Sequence, residues 1–286
     1  MATERHTMPP IPLDKCYGCL DLTIHTFALH DDKKYRRARQ LSVGGFHNPL
    51  ARKLGNFADF SKGDLRLLDD LSSNTTTLKA GTDLIKEGDR PDDVIYLIEG
   101  WAARYKILAG GQRQITAFLI PGDLCDIHIF ILKKMDHDIG LLSDARVARI
   151  PKADMLALMA HSPNITKALW WATLVDEAVL REWLVNMGQR NAFQRIAHLF
   201  CELWVRLHQV GLTVEHSFRL PLNQEQLGDT IGLTPVHVNR TLQRMRAEGL
   251  ITLQSRELVI QDISRLRQIA DFQPNYLHLD RRSQLK

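Results

Sequence analysis

The spacing of apolar residues changes character several times along the chain, and each change marks a different element. From 77 to about 151, short apolar stretches alternate with glycine-bearing turns: L-K-A-G-T-D-L-I, V-I-Y-L-I-E-G, I-L-A-G-G, A-F-L-I-P-G-D-L and A-R-V-A-R-I-P. Short strands at regular spacing predict a small antiparallel barrel or jelly roll. Residues 48–72 read as short helices, one of them opened by Ser61-Lys62-Gly63-Asp64 and burying Leu65, Leu68 and Leu71. From 164 to 188 the interval lengthens. Ile165, Leu169, Ala172, Val179, Trp183 and Met187 recur at helical intervals, interrupted by Asp176, and Trp171, Leu174, Val175, Ala178 and Val185 widen the apolar surface. A helix apolar on two faces needs two covers. One is its own barrel. The other is either more of the same domain or the matching helix of a second copy. The pattern favours a second copy, with Leu169, Ala172, Val175, Val179 and Trp183 as the dimer interface. Another helix is expected near 191–209, carrying Ile196, Leu199, Phe200, Trp204 and Leu207.

Residues 224–251 carry the most specific pattern. Leu227, Ile231, Leu233, Val238 and Leu242 stand where two short crossed helices need apolar contacts. Gly228 is small at the close approach, and Gly232 falls at the turn, where positive φ suits glycine. Thr234 is placed to cap the second helix, and Pro235 follows at the first helical position, where its missing N–H costs nothing. Val236, Asn239, Arg240 and Gln243 then share one face with the chemistry a DNA major groove requires. Leu250–Leu253 and Glu257–Ile260 flank Gln254-Ser255-Arg256, which predicts a hairpin wing, and Ile263–Ile269 reads as one more helix. Arg240 suits guanine, Asn239 suits adenine, and Val236 suits a thymine methyl. His237, Arg244 and Arg256 are candidate phosphate contacts, with Gln224, Gln226 and Thr234 as further contacts at the helix starts.

A length of 286 residues suits two domains with separate cores. The net charge of +4 is too small to argue for nucleic acid, but the distribution is more telling. Glu225 and Asp229 lie on the first helix of the pair, while Arg240, Arg244 and Arg246 lie on the second. No apolar run reaches the length of a membrane span and the first residues lack a signal-peptide core, so no membrane association and a cytoplasmic location are expected. Four cysteines, at 16, 19, 125 and 201, do not make a disulfide framework in a chain this long. Residues 1–47 read as a flexible extension with a basic run from Lys33 to Arg39, either a solvated linker or a DNA-binding tail.

The order barrel, long helix, winged helix-turn-helix resembles the Crp/Fnr family of bacterial transcription regulators. Glu87-Gly88-Asp89 followed by Tyr96–Gly100 looks like the first half of the family's cyclic-nucleotide-binding-type β-roll. Pro121-Gly122-Asp123 looks like its middle turn, and Gln224–Ile251 looks like its DNA-binding helices. The resemblance implies an α+β chain with a jelly-roll-like effector domain (48–163), a dimerisation helix (164–190), a winged helix-turn-helix (191–273) and a loose tail (274–286). It also implies a homodimer on near-palindromic double-stranded DNA, contact with RNA polymerase, and an effector in the β-roll that reorients the DNA-binding domains. The family's base-reading Glu is replaced here by Val236, so the operator should differ from the best-known half-sites.

The family's nucleotide binders follow the Pro-Gly-acid turn with Gly-Glu and, further on, Arg-Ser or Arg-Thr. Those positions hold Asp126 and Ile127, then Met135 and Asp136. The ribose acceptor and phosphate clamp are gone, and carboxylates stand where an anion would bind, so cyclic AMP is not expected to be the effector. Cys16-x-x-Cys19 resembles the cysteine pair of the oxygen-sensing branch, which holds an iron–sulfur cluster. That branch's next Cys is His25 here, and its distant ligand falls on Ala148. Cys125, His128 and His137 form a second group whose donors suit zinc, copper or haem iron, or are satisfied structural residues. No cofactor is therefore expected, with an iron–sulfur or other metal centre as the alternative. A thiol oxidoreductase using Cys16 and Cys19 lacks the strand-to-helix setting that chemistry uses. A winged helix that binds protein is a third possibility. No Ser-His-Asp or phosphate-cradling pattern is present, so no enzyme activity is expected.

Overall fold

The computed structural model describes residues 48–279, which fall within a single compact unit. Cys16, Cys19, His25 and the basic run lie outside the described residues.

Two short helices open the fold, α1 (Pro49–Leu54) and α2 (Lys62–Asp70). Asn48 caps α1 by accepting from Leu50 N, donates to Leu68 O at 2.9 Å, and accepts from Tyr96 Oη at 2.7 Å. One buried amide thus ties α1, α2 and the sheet together, and α2 opens with the capping box Ser61–Asp64.

Eight strands follow: β1 (Thr75–Leu78), β2 (Asp83–Ile85), β3 (Asp93–Glu99), β4 (Ala102–Ile107), β5 (Arg113–Leu119), β6 (Leu124–Cys125), β7 (Asp138–Leu141) and β8 (Ala145–Pro151). They form two antiparallel four-stranded sheets, ordered β1-β8-β3-β6 and β2-β7-β4-β5. Strand β3 is buried from Val94 to Ile98, since helices cover one face and the second sheet the other. This is the expected β-roll.

Helix α3 (Lys152–His161) leads through Ser162 into the long helix α4 (Pro163–Gln189). Leu169, Val175, Val179 and Trp183 are buried and Ala172 is half-buried, all packed within this one chain. The apolar residues left outward are Trp170, Leu174, Leu180, Leu184 and Val185. The expected interface residues are therefore the inward face, and the face open to a second copy is a different one. Both faces are apolar at helical spacing, and the sequence holds no sign of which one the barrel takes.

Helix α5 (Ala192–Gln209) follows after two residues and starts with the capping box Asn191–Gln194. The DNA-binding-type domain continues through β9 (Ser217–Arg219), α6 (Gln224–Ile231), α7 (Pro235–Ala247), β10 (Ile251–Gln254), β11 (Glu257–Ile260) and α8 (Ile263–Ala270). The wing sheet is ordered β10-β11-β9.

The expectation of a loose tail fails at its start. Pro274–Leu277 forms a 3-10 turn with Tyr276 and Leu277 buried. Tyr276 Oη donates at 2.9 Å to Glu202, a carboxylate wholly buried on α5. Glu202 also accepts from Trp183 Nε1 at 3.1 Å and from Arg206 at 3.4 Å. Arg206 reaches on to Asp123 in the Pro-Gly-Asp turn, at 3.3 Å, and Lys53 meets Asp123 at 2.6 Å. Burial raises the pKa of Glu202 against the pull of Arg206 and of its hydroxyl and indole donors. Burial would raise Asp123 too, but Lys53 and Arg206 outweigh it and hold that carboxylate low. Beside this network, His198 stacks on Tyr276, and burial pushes it down to about 3, so it stays neutral.

Candidate nucleic-acid interface and effector region

The interface is built from local signals that the sequence declares. Asn223 caps α6 and accepts from Gln226 N at 2.7 Å, while Gln226 Oε1 accepts from Asn223 N at 2.9 Å. Gly232 ends α6 at φ 67°, and a side chain there would also strike Met187 of α4. A Cβ on Gly228 would run into the Leu233 carbonyl oxygen, so the two helices meet only because this position is bare. Thr234 Oγ1 caps α7 by accepting from His237 N.

Along α7, Val238, Thr241, Leu242 and Met245 are buried. Val236, His237, Arg240, Gln243 and Arg244 are exposed, and Asn239 is half-buried. Val236, at the first turn, is 70 % exposed. The wing turn places Ser255 and Arg256 at φ 49° and 63°, the left-handed pair of a tight hairpin, with the Arg256 side chain exposed.

Two expected contacts are already engaged. Gln226 is committed to its capping box, which leaves Gln224 as the freer amide at that helix start. Arg244 pairs with Glu248 at 2.8 Å and lies 4.6 Å over the Phe193 ring. The structure thus gathers Val236, Asn239, Arg240 and Gln243 on one face, with His237 and Arg244 at its edge and Arg256 on the adjoining wing. That face presents an apolar methyl-sized contact, amides and a guanidinium, the donors and acceptors that read base edges.

The effector region is built in the opposite sense. Asp126 sits at φ 52° with its carboxylate 1 % exposed. His128 Nδ1 lies 3.0 Å from one oxygen and His137 Nε2 lies 3.2 Å from the other. His137 Nδ1 in turn meets Asp136 at 2.6 Å. Burial would raise the Asp126 pKa, but the bonds from His128 and His137 and the nearby Arg104 hold it far below the usual range. His128 is raised, first by its hydrogen bond to Asp126, against its partial burial. Met135 is buried, and its backbone pairs with Gly88 and Asp89 across the loop. Asp136 is exposed.

The structure therefore brings Asp126, His128, His137 and Asp136 together, with the two imidazoles set against a buried carboxylate. Cys125 stands apart, paired with Ile95 in the β3–β6 ladder, and burial pushes its thiol up to about 12. Among the described residues, no group of three or more His, Cys, Asp or Glu side chains is placed to hold a metal ion. Ala148, where a distant cluster ligand would fall, is buried in β8. No helix among the described residues is long and apolar enough to cross a membrane.

The sequence reading left out the Glu202 network, the role of His137, and Trp170, Leu180 and Leu184 among the outward residues of α4. Only the last had a legible signal, the third apolar line through Trp170, Leu174 and Leu184.

Comparison with known proteins agrees with this architecture. Residues 75–162 match the family profile of the cyclic nucleotide-binding domain, and residues 194–269 match that of the Crp-like helix-turn-helix domain. The chain is 26 % identical over 196 residues to the transcriptional activator protein FnrL of Cereibacter sphaeroides, covering 66 % of this chain and 77 % of FnrL. It is 25 % identical over 179 residues to the nitrogen fixation regulation protein FixK of Azorhizobium caulinodans, covering 62 % and 71 %. The fold matches FixK2 from Bradyrhizobium japonicum with a TM-score of 0.62 at 22 % identity, over 68 % of this chain and 96 % of that one. It also matches a transcriptional regulator of the CRP family from Thermus thermophilus with a TM-score of 0.53 at 16 % identity, over 69 % and 97 %. With the roll, the long helix and the winged helix-turn-helix in this order, the chain belongs to the Crp/Fnr family of transcriptional regulators, a non-catalytic class.

Proposed function

We propose that two copies of this chain bind a near-palindromic DNA operator, each laying α7 in the major groove of one half-site. The observation that carries the reading is the α7 face, where Val236, Arg240 and Gln243 stand exposed and nothing among the described residues covers them. Arg240 takes guanine, Asn239 adenine and Val236 a thymine methyl, while Arg244, Arg256, His237 and Gln224 meet phosphates. The copies pair along α4 through Trp170, Leu174 and Leu184, which continue as an exposed apolar line on a helix whose other side is already buried. Bound there, the dimer meets RNA polymerase, as the family resemblance implies.

Cyclic AMP is not the effector in this reading. Asp126 and Met135, both buried, stand at the positions where the family's nucleotide binders carry Gly-Glu and Arg-Ser, so by resemblance a carboxylate is near the place of the phosphate and its arginine clamp is absent.

Selection of binding sites from a random duplex pool tests the whole proposal. A two-fold symmetric site bound by a dimer supports it. A monomer with no sequence preference ends it.

A further inference from the structure

Among the contacts that join the β-roll to the helix-turn-helix, two lie far apart. One is the buried network in which Arg206 of α5 meets Asp123 and donates to Phe118 O at 2.8 Å. The other lies at the start of β5. Arg113 Nε meets Asp229 of α6 at 2.8 Å, and Gln114 Nε2 donates to Thr230 O at 3.2 Å. Arg113 is 31 % exposed and Asp229 21 %, so the pair is shielded enough for its geometry to matter. The guanidinium also lies 5.6 Å from the centre of the Tyr105 ring on β4, and Tyr105 Oη donates to Asp83 at 3.1 Å. Arg113 is thereby braced from the sheet side before it reaches α6.

A single attachment leaves a domain free to rotate about it, and a second, distant one removes that freedom. The two residues Arg190 and Asn191 break the helical path between α4 and α5, with Arg190 in extended backbone. Helix α7 is tied to α6 by the close approach of Gly228 to the Leu233 carbonyl oxygen. Whatever fixes α6 fixes the direction of α7. The clamp does so without covering Val236, Arg240 or Gln243.

We propose that Arg113 and Gln114 are positioning residues for DNA recognition: from the β-roll they hold α6, and through it set the angle at which α7 is presented. This rests on the proposed DNA-binding function. It gives the β-roll a task that needs no bound ligand.

The test begins with a symmetric duplex selected from a random pool by the full-length chain. Arg113→Ala and Asp229→Ala are then measured on that duplex. If the clamp orients α7, both substitutions weaken binding by about tenfold, and the reversed pair Arg113→Asp with Asp229→Arg restores most of it. If the groups act only through their charge on DNA phosphates, Arg113→Ala weakens binding while Asp229→Ala strengthens it, and the proposal is overturned. Equal affinity in all variants overturns it as well. A DNA-free readout separates this from failure of the DNA reading. Spin labels at Ala153→Cys on α3 and Ala247→Cys on α7, with Cys16→Ser and Cys19→Ser, report the distance between the domains. A narrow distribution that broadens in Arg113→Ala supports the clamp, and an unchanged one refutes it. If the wild-type chain selects no sequence, the DNA reading fails and the distance measurement alone decides the clamp.

Discussion

The recognition helix and the effector region use similar residue types to opposite ends. On α7, Arg240 and Gln243 point away from the chain and find no internal partner among the described residues. Around Asp126, the polar groups turn on each other, and two imidazoles meet one buried carboxylate. The difference lies in backbone placement. A helix capped at Thr234 and buried along one side must expose the other. A residue held at positive φ, as Asp126 is, aims its side chain back into the roll. Polar residues mark a binding surface only where the fold leaves their partners unsupplied.

Changes on the closed side should register as stability, and changes on the open side as binding. The largest expected effect is on the closed side. Glu202→Ala leaves Arg206, Tyr276 and Trp183 without their shared acceptor and should cost about 3–5 kcal/mol in urea unfolding. Next comes the outward face of α4. Leu174→Glu with Leu184→Glu should leave the monomer folded while converting the proposed dimer to a monomer in sedimentation. Operator affinity should then fall by at least about a hundredfold through lost two-site binding. On α7, Arg240→Ala should cost about 1–3 kcal/mol at one base position, whereas Arg244→Ala should weaken all sequences alike in a mutated-operator series.

A smaller effect concerns pH. His128 has its pKa raised above the ordinary 6.5 by Asp126, so its pairing stabilises fully below that value and is lost as pH rises through the folded pKa. Amides of residues 127–137 should therefore exchange faster as pH climbs past 6.5, after correction for intrinsic rates, and His128→Asn should flatten that dependence. The smallest expected effect is no change at all: cyclic AMP at millimolar concentration should leave the calorimetric signal and the operator affinity as they were. Binding there would show that the Asp126 cluster opens to a ligand.

The parts that were legible in the sequence share a cause. The turn at Gly232, the cap at Thr234, the β-roll glycines and the helix periods are set by neighbours a few residues apart. The parts that were not depend on distance along the chain. Arg113 and Asp229 are 116 residues apart, and Tyr276 and Glu202 are 74 apart, so no local spacing announces either pair. His128 and His137 were visible as metal-type donors, but their shared partner is set by the backbone of one aspartate. In α4, periodicity revealed two apolar faces without saying which one the barrel would take.

The docking of Tyr276 on Glu202 has a consequence for how the protein comes into being. The buried carboxylate, the indole of Trp183 and the guanidinium of Arg206 are all synthesised long before the hydroxyl that completes their set. While the ribosome still holds the last part of the chain, the interior between the two domains stays unfinished. Polypeptides broken off upstream of Pro274 would carry that defect permanently and should be cut by proteases sooner than the full chain.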